Sequence, residues 1–311
     1  MKGLEESKKF YLECGAQMIA EKFPEYEGRI AVGLVGHGSE CFGFDDDISR
    51  DHDFETGFCM WLTREDEAKI GFKLTRAYDA LKAEYNGTKS EHTSVIGANS
   101  QGVSIIGDFY RRYTGCEGAP NTLRDWLFTE SAFFAEATNG EVFRDDLGEF
   151  TKIREQIANG MPDDVRLKKI ASCAVRMAQT GQYNYPRCIA HGEEGASILA
   201  LSEFVKNAGE IIFLLNKKHC PYFKWTFRAM RSLDILSDMV APLEFLLTAD
   251  NDKAGQKVKR EIVEDISLAV ANEIKRQYEV NCEGGYLEPY GFALAKKIKN
   301  AELRNMHILV G

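Results

Sequence analysis

The chain has 311 residues, with 39 Lys and Arg against 48 Asp and Glu, a formal charge of −9. An apolar fraction of 44% at this length fills one large core or two modest ones, which excludes a disordered or fibrous chain and favours two domains of about 100–200 residues. No apolar run approaches the ~20 residues of a membrane-spanning helix, the start lacks the apolar core of a secretion signal, and no long basic run suits a phosphate backbone, so a cytoplasmic protein with nucleic acid a poor partner is expected.

In chain order, apolar periodicity predicts a helix from about Glu5 to Phe23. Two extended runs follow, Ile30-Ala-Val-Gly-Leu-Val-Gly36 and His52 to Leu62, then a helix over Glu65–Tyr85 and short strands near Thr93–Gly97 and Gly102–Asp108. From Thr122 onward the pattern is helical almost without relief. Thr122 is placed to cap a helix whose apolar face carries Leu123, Trp126, Leu127 and Phe134 and which ends at Asn139-Gly140. Asp163 and Asp164 open another that stops at Gly181. Periodic stretches then occupy Ala196–Lys218 and Lys253–Val280, and Leu287–Leu303 closes the chain. The expected architecture is α+β: a small mixed sheet with helices over residues 1–118, then an all-α helical domain over 119–311 covering the cleft. The join falls in the turn-rich Thr114-Gly-Cys-Glu-Gly-Ala-Pro120.

The segment Val35-Gly-His-Gly-Ser-Glu-Cys-Phe-Gly-Phe-Asp-Asp-Asp-Ile-Ser-Arg-Asp-His-Asp-Phe54 carries the most chemistry. Strand alternation sends Asp51 and Asp53 to one face and His52 to the other. Two neighbouring carboxylates repel unless a cation holds them, and magnesium suits them because it takes oxygen ligands and is commonly completed by substrate phosphates. Gly38 lets backbone N–H groups approach a phosphate closely, and the Ser39 hydroxyl adds a donor. The combination suits a metal-bound nucleoside triphosphate.

Competing patterns fail on particular residues. A calcium loop starting at Asp45 has Arg50 where glycine belongs and Thr56 where glutamate belongs. Gly36-His-Gly-Ser-Glu-Cys41 lacks the third glycine of a dinucleotide fingerprint, and neither a His-Glu-x-x-His zinc motif nor a serine with motif-level partners occurs. Asp45-Asp46-Asp47 reads as a solvated loop, His37 as a loop residue near the phosphates and His52 as structural. The eight cysteines, Cys14, Cys41, Cys59, Cys116, Cys173, Cys188, Cys220 and Cys282, show no Cys-x-x-Cys spacing and read as reduced, mostly buried thiols.

This constellation resembles the signature of the nucleotidyltransferase superfamily whose fold is shared with DNA polymerase beta: Gly-Gly or Gly-Ser, roughly ten residues, then Asp-x-Asp or Asp-x-Glu. Here eleven residues separate Ser39 from Asp51. Together with Gly181-Gln-Tyr-Asn-Tyr-Pro-Arg187 and Phe213-Leu-Leu-Asn-Lys-Lys-His-Cys-Pro-Tyr-Phe-Lys-Trp225, the segments Gly38-Ser-Glu-Cys-Phe-Gly-Phe-Asp-Asp and Ser49-Arg-Asp-His-Asp look like a bacterial family, domain of unknown function 4037, regarded as nucleotidyltransferase-like. The similarity runs from about residue 30 to about residue 240. The resemblance implies that Asp51 and Asp53 hold Mg2+, with a second ion possible, and that a third carboxylate comes from a later strand. Asp108, in Val103-Ser-Ile-Ile-Gly-Asp-Phe109, is the candidate.

Nucleotidyl transfer relies on charge placed against the phosphates, which Arg187 and Lys224 can supply, while Tyr183 and Asn184 can contact sugar or acceptor. Tyr222, Phe223, Trp225 and Phe227 read as core aromatics at helical spacing. The expected reaction moves a nucleoside monophosphate from ATP or another nucleoside triphosphate to an acceptor hydroxyl, releasing pyrophosphate. The negative charge favours a small-molecule acceptor, including a cationic one such as an aminoglycoside. The alternatives are a non-catalytic nucleotide sensor or interaction protein, and a protein-modifying nucleotidyltransferase of the antitoxin type.

Overall fold

In the computed structural model, which describes residues 2–46, 56–86 and 101–311, Gly3–Phe10 forms α1. It continues through a π-helical turn, Tyr11–Gly15, into α2 (Ala16–Lys22). The strand expected at Thr93–Gly97, and Asp47, Asp51, His52 and Asp53, lie outside the described residues. The chain divides into two compact units, Met1–Asp125 with Phe133–Gly160, and Trp126–Ala132 with Met161–Gly311. The whole is mixed α+β, as expected at that level.

The first unit is built on strands β1 (Ala31–Leu34), β2 (Cys59–Leu62) and β3 (Gly102–Ile105), helices α3 (Arg64–Asn86) and α4 (Ile106–Thr114), strand β4 (Glu141–Arg144) and helix α7 (Glu149–Asn159). The sheet order is β3-β2-β1-β4, with β1 antiparallel to both β2 and β4 and β2 parallel to β3. Every residue of β1 and β2 is buried, the pattern of strands covered on both faces. Period two sorts β2 cleanly. Met60 and Leu62 join Phe10, Tyr11, Phe58, Ile70 and Tyr78 in one core, while Trp61 stacks on Phe150 of α7 at 3.9 Å and meets Phe109 of α4 edge-on. Gly15 lets the amino-terminal helix lie on the sheet, because a Cβ there would come within 2.5 Å of Phe58.

Three expectations change in this unit. β4 lies in a stretch read as helical; four half-buried residues carry too little periodicity to show, and their partner β1 is far back in the chain. β3 stops at Ile105, opposite the last residue of β2, and Asp108 sits in the first turn of α4 instead of ending a strand. An acidic side chain suits that turn, where the helix N–H groups are unpaired. Asp45 is half-buried, not solvated, and accepts the Gly3 N–H at 2.8 Å.

Helices α5 (Leu123–Phe128) and α6 (Ser131–Thr138) replace the single helix read from Thr122 to Asn139. The expected cap is present: the Thr122 hydroxyl accepts from Asp125 N–H at 3.2 Å, and the Asp125 carboxylate accepts from Thr122 N–H at 2.9 Å. At the break, the Thr129 carbonyl accepts from Lys169 and the Ser131 hydroxyl donates to Glu210, interactions that local periodicity does not contain.

The second unit holds α8 (Asp163–Met177), α9 (Tyr185–Ala190), α10 (Glu194–Leu215), α11 (Phe223–Met230), α12 (Val240–Thr248), α13 (Lys253–Tyr278), α14 (Glu288–Lys297) and α15 (Ala301–Asn305). Gly181 does not stop the helix opened by Asp163. The chain runs on through a π-helical stretch, Ala178–Asn184, into α9, and Gly181 serves close packing instead, since a Cβ would sit 2.3 Å from the Phe204 ring. The closing helix splits into α14 and α15, because Asp164 accepts the N–H groups of Lys299 and Asn300 at 3.0 and 2.7 Å. Among the described residues no helix is long and apolar enough to cross a membrane, and the eight cysteines are free thiols, none of them exposed.

Candidate functional site

The end of β1 becomes a corner because Gly36 and Gly38 adopt φ of +124° and +127°, values that side-chain-bearing residues rarely take. The corner is pinned from outside. Gly36 N–H donates to Asn139 Oδ1 at 2.8 Å, and Asn139 Nδ2 donates to the Gly36 carbonyl at 2.7 Å. Gly140 N–H donates to the Cys41 carbonyl at 2.7 Å. The Arg154 guanidinium of α7 in turn donates to the carbonyls of Asn139 and Gly140 at 3.1 and 3.2 Å. In sequence Asn139-Gly140 reads only as a helix stop; in the fold it locks the corner.

After the corner, Ser39 leads into a short 3-10 turn, Glu40–Phe42, and its carbonyl accepts from Phe42 and Phe44 N–H groups. The Glu40 side chain folds back over Gly38, so that a Cβ on Gly38 would lie 2.4 Å from Glu40 Oε1. Burial pushes the Glu40 carboxyl above its ordinary range, and Asp45 adds to the rise, against the pull of its own N–H, the Ser39 hydroxyl and His37. The space over Gly38 is therefore filled by a carboxyl group of the chain itself. His37 is exposed, with Nδ1 3.3 Å from Glu136 Oε1. Beneath the corner, burial pushes the Cys41 thiol well up and the Cys59 thiol up to about 12, so both are protonated, unreactive packing groups at neutral pH.

The pairing of β1 with β2 decides what this corner faces. Gly33 lies opposite Cys59, so the chain leaving β1 and the chain entering β2 lie at one end of the sheet's strands. Asp51 and Asp53 precede β2 in sequence and lie outside the described residues. Among the described residues no group of three or more His, Cys, Asp or Glu is gathered to hold a metal ion.

Asp108 follows the opposite end of the strands. Leu62 pairs with Ile105 there, and Asp108 follows on α4, accepting from Arg64 at 3.3 Å and from Arg111 at 3.0 Å. Glu117 shares both arginines. A strand of four residues spans about 10 Å, which separates the end of β3 that Asp108 follows from the end of β1 that leads to Gly38 and Ser39, and the Asp108 carboxylate is occupied by two guanidinium groups. Sequence reading also passes over Arg112, whose charge acts on the Cys59 thiol near the corner.

Tyr183, Asn184, Arg187 and Lys224 belong to the second unit and are all exposed. The Arg187 guanidinium lies 5.1 Å from the Tyr183 ring centroid, and the Lys224 ammonium 4.8 Å from that of Trp225, distances suited to cation–π attraction. The aromatics around Lys224 are not core. Tyr222 and Phe223 are 48% and 73% exposed, because Pro221 precedes them and they begin a helix at the rim of a cavity.

That cavity, about 830 Å³, lies between α8, α10 and α11. A second one, about 590 Å³, is lined by Gln182 and Pro186 opposite Lys253, Lys257 and Arg260 of α13.

A family model described as Domain of unknown function (DUF4037) matches residues 126–226, from within α5 into α11. The match is narrower than the span of the resemblance and leaves out Gly38, Ser39, Asp51, Asp53 and Asp108. No curated protein and no solved structure matches the chain.

Proposed function

We propose that the first unit is nucleotidyltransferase-like and binds a magnesium-bound nucleoside triphosphate, ATP in the first instance, at the corner after β1. Transfer of its nucleoside monophosphate to the hydroxyl of a small-molecule acceptor, with loss of pyrophosphate, is the reaction class this reading assigns. The observation that carries it is the antiparallel register Gly33↔Cys59, which starts the Gly38-Ser39 corner and the segment entering β2 from a common end of the sheet's strands. The Glu40 side chain supports the fit, since an acidic group already fills the space over Gly38 that a phosphate oxygen would take. On nucleotide binding that side chain turns away, and the Ser39 hydroxyl and Glu40 N–H pass to a phosphate oxygen. Asp51 and Asp53 would hold Mg2+, which when bound supplies positive charge against the phosphates.

The position of Asp108 favours a second reading. With the candidate third carboxylate following the opposite end of the strands and ion-paired, the corner is left with nucleotide-binding groups and without the acid that prepares an acceptor oxygen. A nucleotide sensor that does not turn over fits that arrangement.

Incubation with ATP labelled at the α-phosphorus, magnesium and a metabolite extract separates the two. Label transfer with pyrophosphate release supports the transferase, and magnesium-dependent binding without release supports the sensor. An Asp51→Asn, Asp53→Asn variant that binds magnesium ATP as well as the parent would overturn both.

A further inference from the structure

We propose that the cavity between α8, α10 and α11 is a binding site for a free α-amino acid with an apolar side chain, held between Lys169 and Glu210. The proposal is independent of the nucleotide reading, and the residues lining the cavity all belong to the second unit. Its volume, about 830 Å³, is within the ~300–1,000 Å³ usual for small-molecule sites.

The charged groups on its walls are not equally free. Arg176 donates to the Leu309 carbonyl at 2.7 Å and lies 4.0 Å from Glu203, which also accepts from Asn207 at 3.0 Å. Those groups satisfy one another. Lys169 and Glu210 do not. Lys169 is 6% exposed, and its ammonium makes one long hydrogen bond, 3.4 Å, to the Thr129 carbonyl. Glu210 accepts from the Ser131 hydroxyl, while the Cys220 thiol on the same wall donates to the Pro221 carbonyl at 3.6 Å. Burial pushes the Cys220 thiol well up, which keeps it a neutral donor. No described cation is ion-paired with Glu210. Their partners, the Thr129 carbonyl and the Ser131 hydroxyl, lie two residues apart, so both groups are anchored at one part of the wall, and both act on the Cys173 thiol, in opposite directions.

Opposite charges attract strongly where water is scarce, yet here each is held by a neutral partner instead of by the other. A ligand carrying a carboxylate and an ammonium on one carbon completes both, the carboxylate on Lys169 and the ammonium on Glu210, each by a charge-assisted hydrogen bond. Above this polar floor Tyr222, Phe223 and Phe227 supply aromatic surface, with the first two rings 4.2 Å apart, which selects an apolar side chain on the ligand.

Titration calorimetry on the full chain tests this with L-phenylalanine, L-leucine, phenylacetate, which lacks the ammonium, and phenethylamine, which lacks the carboxylate. At least one of the two amino acids binds, and each single-charge analogue binds about tenfold or more weakly. Lys169→Met and Glu210→Gln each lower amino-acid affinity by a similar factor. Should either variant fail to fold, the analogue series on the unaltered chain decides alone. An analogue that binds as tightly as the amino acids, or no binding of either amino acid at millimolar concentration, overturns the proposal.

Discussion

Glu40 and Gly38 share one small volume: the glutamate carboxylate lies where a Cβ on residue 38 would come within 2.4 Å of it. The corner is thus filled by an acidic group that the chain provides itself. Under the nucleotide reading a triphosphate has to displace a carboxylate of the same charge. Glu40→Gln removes that competitor while keeping the shape, and raises affinity for magnesium ATP by about tenfold, the scale of one charge-assisted contact. Equal or weaker binding, measured by calorimetry, refutes the displacement.

The same carboxyl makes stability depend on pH. Its folded value is raised above the ordinary 4.5, first by burial and then by Asp45. A group raised in this way stabilises the fold fully below its unfolded value, and the contribution is lost as pH rises through the folded value. Thermal unfolding of the parent followed from pH 4 upward therefore includes a declining component that Glu40→Gln lacks. The two profiles diverge at low pH, the parent gaining relative to the variant; parallel profiles across that window would remove Glu40 as the cause.

Gly38→Ala places a side chain at φ +127° and against Glu40. The backbone strain costs about 1–3 kcal/mol, and the corner reshapes, so urea unfolding shifts to lower denaturant and magnesium ATP binding falls together. An alanine variant with the parent's midpoint would show that the corner relaxes freely.

Asn139→Ala breaks the reciprocal pair with Gly36. Two hydrogen bonds to one backbone unit are lost, at about 1–3 kcal/mol of stability in all. Nucleotide affinity drops although Asn139 need not touch the ligand, and Asn139→Asp restores only the half that accepts from Gly36 N–H. Unfolding and binding measured on both variants check the order Asn139 above Asp above Ala.

Asp108→Asn leaves nucleotide binding unchanged. Its ion pairs with Arg64 and Arg111 are partly exposed, so the stability change stays under about 1 kcal/mol. A large loss of magnesium-dependent binding would return Asp108 to the site.

Local pattern carried some elements nearly to the residue. The helix read at Glu65–Tyr85 is α3, Arg64–Asn86, and Lys253–Val280 is α13, Lys253–Tyr278, whose cap, Asp252 accepting from Gly255 N–H at 2.8 Å, is itself local. Likewise the Thr122 cap needs only a partner three residues on. Gly181 shows the opposite case. A glycine in a helical run looks like a stop, but whether it ends the helix or admits a neighbour depends on Phe204, which sequence spacing does not reveal.

By itself the sequence determined a helical second half, the glycine corner after an apolar strand, and the likeness to DUF4037 that residues 126–226 bear out. Each of these resides in contiguous residues. Tertiary structure alone decided that β4 joins β1, that Asp108 follows the opposite end of the strands among arginines, and that Lys169 and Glu210 line one cavity without pairing. These depend on strand register and on packing between residues distant in the chain. A one-residue slip in register turns every side chain of a strand to the other face, and no periodicity within a segment reports what lies opposite it.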